Sequence, residues 1–201
     1  MSKALFTLII ATASLPAALI ASNYTGTTSG GFGLTATGAR AAQFTAGFTG
    51  FVTDVQVWIS AQGTSGNATL DTYLLADNGG LPGAVLEHIG GIPGNLSTSF
   101  ALATGAAAGT TLLTAGTKYW IGGVSLAGTS RAIAWGSGGT AGPEAFTTSG
   151  SVNGLWTSAG TNNDAVQYII NGNAVTSAVP EPASFVIVEA ALLVLGLRVR
   201  K

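Results

Sequence analysis

Residues 51–60 read FVTDVQVWIS, and this stretch decides the fold class of the chain. Val55, Val57 and Ile59 alternate with polar or amphipathic residues, so an extended backbone would turn these three side chains to one face. Period-two alternation that is rich in β-branched residues is typical of a strand buried on one side. The stretch therefore predicts a β-strand that places the three apolar side chains in a core.

The same alternation resumes beyond a short polar loop. Residues 67–75, NATLDTYLL, place Leu70 and Leu74 on one face and Tyr73 on the other. The intervening residues 61–66, AQGTSG, have the small and polar composition of a turn. We therefore predict that the two strands are joined as a hairpin.

Turn and strand signals recur through the rest of the middle region. Asn78-Gly79 and Pro82-Gly83 are turn signals before a short strand at 85–89. Four more strand candidates follow: STSFAL at 97–102, TKYWIGGVSL at 117–126, RAIAWGS at 131–137 and AVQYIING at 165–172. No stretch between 41 and 172 combines helical periodicity with helical length. We therefore predict an all-β fold, an antiparallel and jelly-roll-like β-sandwich.

The composition indicates a neutral, hydroxyl-rich surface. Only 7% of the 201 residues are charged, against about 25% in ordinary soluble domains. Nucleic-acid binding needs clustered Lys and Arg, which the middle of the chain lacks, so we predict no nucleic-acid partner. The chain has no Cys, which excludes a disulfide framework and a thiolate metal site.

The N-terminal 22 residues have the layout of a secretory signal peptide. Lys3 gives a short positive region, and an apolar run at 4–20 follows, with Pro16 near its end. We predict a signal helix within 1–22 and export of the chain. The cleavage site is less clear, because residues 19–21 (LIA) put a large residue where a small one is preferred. An uncleaved N-terminal anchor stays an alternative.

The C-terminus carries three features in a fixed order. The first is Val179-Pro180-Glu181-Pro182, which breaks regular structure because each proline fixes its own φ and restricts the residue before it. The second is the run 185–197, apolar except for Glu189, which as a helix spans about 20 Å and falls short of the roughly 30 Å hydrocarbon core. The third is a basic cluster of the type held on the cytoplasmic side of a membrane: Arg198, Arg200 and Lys201. We predict a short hydrophobic helix that anchors the chain temporarily.

This C-terminal arrangement resembles the PEP-CTERM sorting signal of bacterial exported proteins. The resemblance implies recognition of the Pro-Glu-Pro motif by exosortase, a transpeptidase-like membrane protease that removes the tail. It also implies a Gram-negative host that makes extracellular polysaccharide. Glu189 departs from the pattern, since the family's apolar run is normally uncharged.

The middle of the chain is similar to the choice-of-anchor β domains, which precede varied surface-anchoring signals. The residues that carry this similarity are YLLADNGGLPGAVL at 73–86 and LTAGTKYWIGGVSL at 113–126. The resemblance implies a β-sandwich on an exported protein and brings no catalytic residues. The predicted organisation is a signal peptide at 1–22, a Gly/Ser/Thr-rich lead-in or weak first strand at 23–40, a β-sandwich domain at 41–172, a linker at 173–178 and the sorting segment at 179–201.

The sequence contains few candidate catalytic residues. His88 is the only histidine, no Gly-x-Ser-x-Gly elbow surrounds a serine, and a solvent-facing strand histidine is the simpler interpretation. Asp54 and Asp71 lie on successive predicted strands, and two facing carboxylates could hydrolyse a glycosidic bond. Single acids on a solvent face are common in sandwiches, so we predict a protein that is not an enzyme.

The candidate metal and glycan residues of this chain also have ordinary structural roles. The loops that contain Asp77 and Asp164 offer oxygen ligands for calcium, but neither has the spacing of a calcium loop, and turns demand the same residue types. We predict no metal and no cofactor. Exposed aromatic rings commonly bind flat sugar faces, whereas buried ones form the core. The candidate glycan contacts are Trp58, Tyr73, Trp135 and Trp156.

These features predict a non-enzymatic bacterial surface or extracellular-matrix protein. We expect it to be exported, held briefly in the inner membrane through 185–197, and delivered to the outer envelope or extracellular matrix. Its expected partners are the secretion machinery, an exosortase-like protease and extracellular polysaccharide. A carbohydrate-binding module is the alternative function, and a glycoside hydrolase is the third.

Overall fold

The structure is a computed structural model that describes residues 17–35, 37–61, 66–67, 69–92, 95–96, 98–126, 133–162 and 164–175. The predicted sorting segment, the C-terminal helix and residues 1–16 of the predicted signal peptide lie outside these ranges. Within them, no helix has the length and apolar character needed to cross a membrane.

Strands account for all the regular structure in the described ranges. In the first half of the chain they are β1 (Ala18–Ser22), β2 (Gly30–Leu34), β3 (Ala39–Thr45), β4 (Gly50–Ala61), β5 (Gly66–Asn67), β6 (Leu70–Asn78), β7 (Leu81–Ile92) and β8 (Asn95–Leu96). In the second half they are β9 (Ala101–Ala106), β10 (Leu112–Leu113), β11 (Lys118–Ser125), β12 (Ile133–Gly139), β13 (Gly142–Thr147), β14 (Thr157–Asn162), β15 (Ala165–Val166) and β16 (Tyr168–Ala174).

The strands form two antiparallel sheets, which confirms the predicted all-β class. Sheet I has eight strands in the order β1-β16-β4-β12-β15, with β9 and β10 also paired to β4 and β2 paired to β12. Sheet II has six strands in the order β14-β13-β3-β11-β6-β7. The short strands β5 and β8 pair with each other.

The core lies between the inner faces of the two sheets. Val55, Val57 and Ile59 are completely buried, as the alternation in 51–60 predicts, and they belong to the same cluster as Leu74. Burying one such side chain stabilises the fold by about 1.5–3 kcal/mol. The chain has no Cys, so this apolar packing takes the place of disulfide cross-links.

The predicted hairpin across residues 61–66 is wrong. Strand β4 belongs to sheet I and strand β6 to sheet II, so the chain crosses between the sheets here. The alternation fixed which face of each strand is buried but carried no information on which strand it pairs with, because partner choice depends on the whole core.

A true hairpin joins β6 to β7. Gly79 and Gly80 form its turn with φ values of 63° and 87°, a left-handed conformation that glycine adopts without strain. The predicted Pro82-Gly83 turn is wrong, because both residues lie inside β7, and this strand begins well before the predicted 85–89. Proline is tolerated there because β7 is an edge strand of sheet II.

The centre of sheet II is buried on both faces. Ile121 packs in the core between the sheets, whereas its neighbour Trp120 packs in a second apolar cluster on the outer face. Residues 148–156, here called the covering segment, connect β13 to β14 and contribute Val152 and Trp156 to that outer cluster. Strand β11 is therefore buried along nearly its whole length and lacks the alternation of a half-exposed strand.

The two ends of the described chain lie side by side in sheet I. Strand β1 runs antiparallel to β16, and Ala18 at its start is paired with Gly172 near the end of β16. Strand β1 falls inside the range assigned to the signal peptide, and β2 falls inside the 23–40 lead-in, where a weak first strand was one alternative. The two ends of the described chain, residues 17 and 175, therefore lie at the same end of the same sheet.

Candidate functional site

A cleft lies where the covering segment meets the start of β7. Its volume is about 430 Å³, and none of the described residues that line it is charged. Those residues are Asn78, Leu81, Pro82, Gly83 and Ala84 on one side and Val152, Asn153, Gly154, Leu155 and Trp156 on the other. We call it the Trp156 cleft.

The covering segment holds the Trp156 ring in place. The Nε1 atom of Trp156 donates a 2.9 Å hydrogen bond to the carbonyl oxygen of Val152, which is itself buried at 3% exposure. Leu155 is 94% exposed beside it. Asn78 and Asn153 stand exposed on the rim and offer amide donors and acceptors. The cleft thus combines a fixed aromatic ring with neutral hydrogen-bonding groups, a chemistry that suits an uncharged, hydroxyl-bearing ligand.

A second cleft of about 240 Å³ lies on the other side of the covering segment and contains a titratable cluster. The Tyr73 hydroxyl donates to Asp71, and His88 Nε2 lies 2.5 Å from Asp71 Oδ1. The Tyr73 and His88 rings stack with centroids 4.6 Å apart. Burial, then the hydrogen bond and the charge of Asp71, raise the pKa of Tyr73 to about 12. Tyr73 is therefore a neutral donor at physiological pH.

Sequence reasoning missed this cluster because the β6–β7 hairpin is bulged. A regular hairpin that starts from the Asn78–Leu81 pair would place Leu86 opposite Tyr73. Register shifts along β6 place His88 there instead. Bulges have no strong local signal, although Gly90, with a φ of 93°, marks one of these irregular positions.

Asp77 is a structural acceptor rather than an open cation ligand. Its Oδ1 accepts 2.7 Å hydrogen bonds from Gln43 Nε2 and Trp120 Nε1, and its Oδ2 accepts one from the Gly80 amide. Burial alone would raise the pKa of Asp77, but these donors and the charge of Lys118 together lower it. The carboxylate oxygens are thus already engaged by internal donors.

Asp164 likewise makes contacts within the fold. It accepts a hydrogen bond from the Ser29 hydroxyl, and Ser137 Oγ lies 3.5 Å from it. Among the described residues, no three His, Cys, Asp or Glu side chains are grouped as they would be around a metal ion.

Two of the four aromatic residues considered for glycan contact, Trp135 and Trp58, lie away from the two clefts beside the covering segment. Trp135 is completely buried in the core, and its Nε1 donates to the Gln167 carbonyl at 2.9 Å, so the expected surface contact is wrong for this residue. Trp58 is partly exposed on the outer face of sheet I, 5.1 Å from the Tyr24 ring. Only Tyr73 and Trp156 lie beside the two clefts that flank the covering segment.

The two acids considered for glycoside hydrolysis are on different sheets. Asp54 lies in β4 of sheet I and accepts a 2.7 Å hydrogen bond from Asn171, whereas Asp71 lies in β6 of sheet II. The crossing between β4 and β6 separates residues that a hairpin would have brought together. The paired-carboxylate hypothesis therefore loses the geometry on which it depended.

No protein-family model matches the chain, and no curated protein matches it. The functional inference therefore depends on the residues, the fold and the chain ends.

Proposed function

We propose that the chain is an exported, non-enzymatic protein of the bacterial surface or extracellular matrix. In this proposal the β-sandwich is delivered by the C-terminal segment 179–201, which an exosortase-type protease processes at its Pro-Glu-Pro motif. The sandwich is jelly-roll-like, and repeated crossing of the chain between sheets I and II supports this assignment.

The observation that carries this proposal is the side-by-side exit of the two chain ends. Ala18 is paired with Gly172, so the N-terminal leader and the C-terminal segment depart from one end of sheet I. Ten residues, 175–184, separate β16 from the apolar run, and they can span at most about 35 Å. If the two chain ends lay at opposite ends of the sandwich, they could not both reach one membrane as easily. This arrangement suits an intermediate held at one membrane by both ends.

The proposal is tested by the intact mass of the protein exported from its native host. We expect the wild-type chain to be trimmed near Pro182 and to leave the inner membrane. A variant with Pro180, Glu181 and Pro182 replaced by alanine should keep its tail and stay there. If wild type and variant both keep Lys201, the sorting proposal fails.

A second candidate function is binding of a neutral glycan in the Trp156 cleft. The specific observation in its favour is the uncharged lining of this cleft, with an indole ring beside exposed asparagine amides. Aromatic rings supply contact area at low entropic cost, and amides bond to sugar hydroxyls.

This candidate is tested by retention of the exported domain on neutral bacterial exopolysaccharide. Trp156→Ala should abolish retention, whereas Trp58→Ala, on the outer face of the other sheet, should leave it intact. Equal retention of both variants would overturn glycan binding at the cleft.

The non-enzymatic assignment has its own test. If the wild-type protein hydrolyses any glycan and Asp54→Asn or Asp71→Asn abolishes that activity, the assignment is overturned.

A further inference from the structure

We propose that the folded domain docks on the surface of a lipid bilayer through the outer face of sheet I, at the end where the described chain begins and ends. The docking surface, here called the sheet I patch, consists of four exposed apolar side chains: Leu19, Phe51, Leu112 and Val175. The inference rests on the membrane-held intermediate proposed above. It adds a contact made by the domain itself to the attachment through the chain ends.

Three of the four side chains point away from the core. Leu19, Phe51 and Leu112 are 57%, 38% and 47% exposed. The residue that follows each of them in the chain is buried in the core between the sheets: Ile20, Val52 and Leu113. Successive side chains of a strand alternate between its two faces. The three exposed side chains therefore lie on the outer face of sheet I.

The members of the sheet I patch are neighbours in the sheet. Phe51 is paired with Leu112 on one side and with Asn173 on the other. Val175 lies two residues after Asn173, and Leu19 is paired with the residue two before it. Adjacent strands lie about 4.8 Å apart, so these side chains form one surface rather than scattered exposed residues. Contiguous exposed apolar surfaces mark sites of contact with proteins or membranes.

The surroundings of the sheet I patch favour a contact that is apolar rather than electrostatic. Asn171 and Asn173, the partners of Leu19 and Phe51 in β16, are uncharged. The nearby Asp54 carboxylate accepts a 2.7 Å hydrogen bond from Asn171. Binding of an apolar surface at a membrane interface grows with the apolar area that is buried. We therefore expect docking to be insensitive to the charge of the lipids.

The position of the predicted anchor indicates a bilayer as the partner. Val175 is separated from the apolar run 185–197 by the nine residues 176–184, which can span at most about 32 Å. An anchor in the bilayer would therefore keep the patch close to lipid, and tethering gives a surface a high effective concentration at its partner. A contact too weak to hold a free domain is then sufficient, and it would end when the tail is removed.

The first test uses single-cysteine labelling, because the chain has no native Cys. Leu112→Cys is coupled to a fluorophore that reports the polarity of its surroundings, and the full chain is reconstituted into phosphatidylcholine vesicles. We expect a blue shift of the emission and quenching by brominated lipids. Addition of phosphatidylglycerol should change neither signal.

Leu126→Cys is the matched control, because Leu126 is 38% exposed and lies at the opposite end of the sandwich. Strand β3 ends at Thr45, close to Gly47, whose amide bonds to Ile20 of β1. Strand β11 begins opposite Thr45 and runs eight residues away from this end, toward Leu126. A label at residue 126 should therefore stay in water.

Two results would overturn the docking and leave the anchoring intact. A label at residue 112 that remains in water on a vesicle-bound chain would show that the patch does not contact lipid. A blue-shifted label that brominated lipids do not quench would show that protein covers the patch, whether the chain's own tail or a second copy. A full chain that does not bind the vesicles would overturn both the docking and the membrane-held intermediate.

The second test asks whether the patch itself makes the contact. Phe51→Asp places a charge beside the label at residue 112 and should return its emission to that of water. Leu126→Asp, at the opposite end, should leave the blue shift unchanged. Equal melting temperatures check that the variants fold, and Val175→Asp replaces Phe51→Asp if the latter does not. A blue shift that survives a charge in the patch would overturn the inference.

Discussion

Arg40 in β3 meets Glu144 in β13 with 3.0 Å between Nη1 and Oε2, and the glutamate side chain is completely buried. The other oxygen of Glu144 accepts a 2.7 Å hydrogen bond from the Val166 amide. Val166 belongs to β15 of sheet I, whereas Arg40 and Glu144 belong to sheet II. One buried carboxylate therefore links the two sheets.

We expect Arg40→Met to lower the free energy of unfolding by about 3–5 kcal/mol, because it leaves a buried carboxylate without its cation. Arg40 also stacks over the Phe32 ring, and methionine keeps part of that packing. Lys118→Met, at an exposed position, should change stability by less than about 1 kcal/mol. Urea denaturation measures both variants, and similar losses would contradict the role of the buried pair.

The hydrogen bonds to Asp77 predict a specific dependence of stability on acid. Its pKa is lowered from 3.8 in the fold, so its contribution is present above about pH 4 and is lost as pH falls through the lower folded value. Asp77→Asn should be less stable at pH 7 and lose less stability on acidification. Urea titrations of the wild-type protein and Asp77→Asn between pH 7 and 2 test this. An unchanged acid profile in Asp77→Asn would contradict it.

The pKa of Tyr73 should lie well above the ordinary value of a phenol. Its pKa is raised from 10.0 to about 12, so its stabilising hydrogen bond is fully present below pH 10 and is lost as pH rises through 12. Ultraviolet difference titration of wild type against Tyr73→Phe isolates this phenol. Asp71→Asn should move the titration back toward 10.0. If Tyr73 of the wild-type protein titrates near pH 10, the raised pKa is contradicted.

Two glycines of sheet I test how closely aromatic rings pack on its outer face. A Cβ at Gly136 would overlap Trp58 and lie 3.0 Å from Phe100 Cδ1, whereas a Cβ at Gly33 would meet nothing within 4 Å. We expect Gly136→Ala to cost about 1–3 kcal/mol and Gly33→Ala to be neutral or mildly stabilising. Thermal unfolding compares the two, and a stable Gly136→Ala protein would show that Trp58 moves freely.

The sequence correctly predicts the features that depend on local alternation of apolar and polar residues. Val55, Val57 and Ile59 face the core as expected, because a strand with one buried face needs apolar side chains at every second position. It missed β3, Ala39–Thr45, because a strand buried on both faces and rich in alanine has no period-two pattern.

The candidate site was harder to predict than the sheets. The sequence offers Trp156 and Tyr73 as aromatic candidates, but their common relation to the covering segment depends on contacts between residues far apart in the chain. The same signal also points to Trp135, because an indole beside glycines is equally compatible with surface and core. The position of His88 opposite Tyr73 depends on bulges that the amino-acid sequence marks only weakly.

The pairing of Ala18 with Gly172 also determines how the protein would respond to mechanical load. A force that pulls both chain ends toward one membrane acts at the same end of two antiparallel strands. Their hydrogen bonds would then break one after another rather than all at once, as in a zipper. We expect β1 to peel away at low force and the rest of the sandwich to resist. On the delivery proposed above, the domain would yield first at this edge strand.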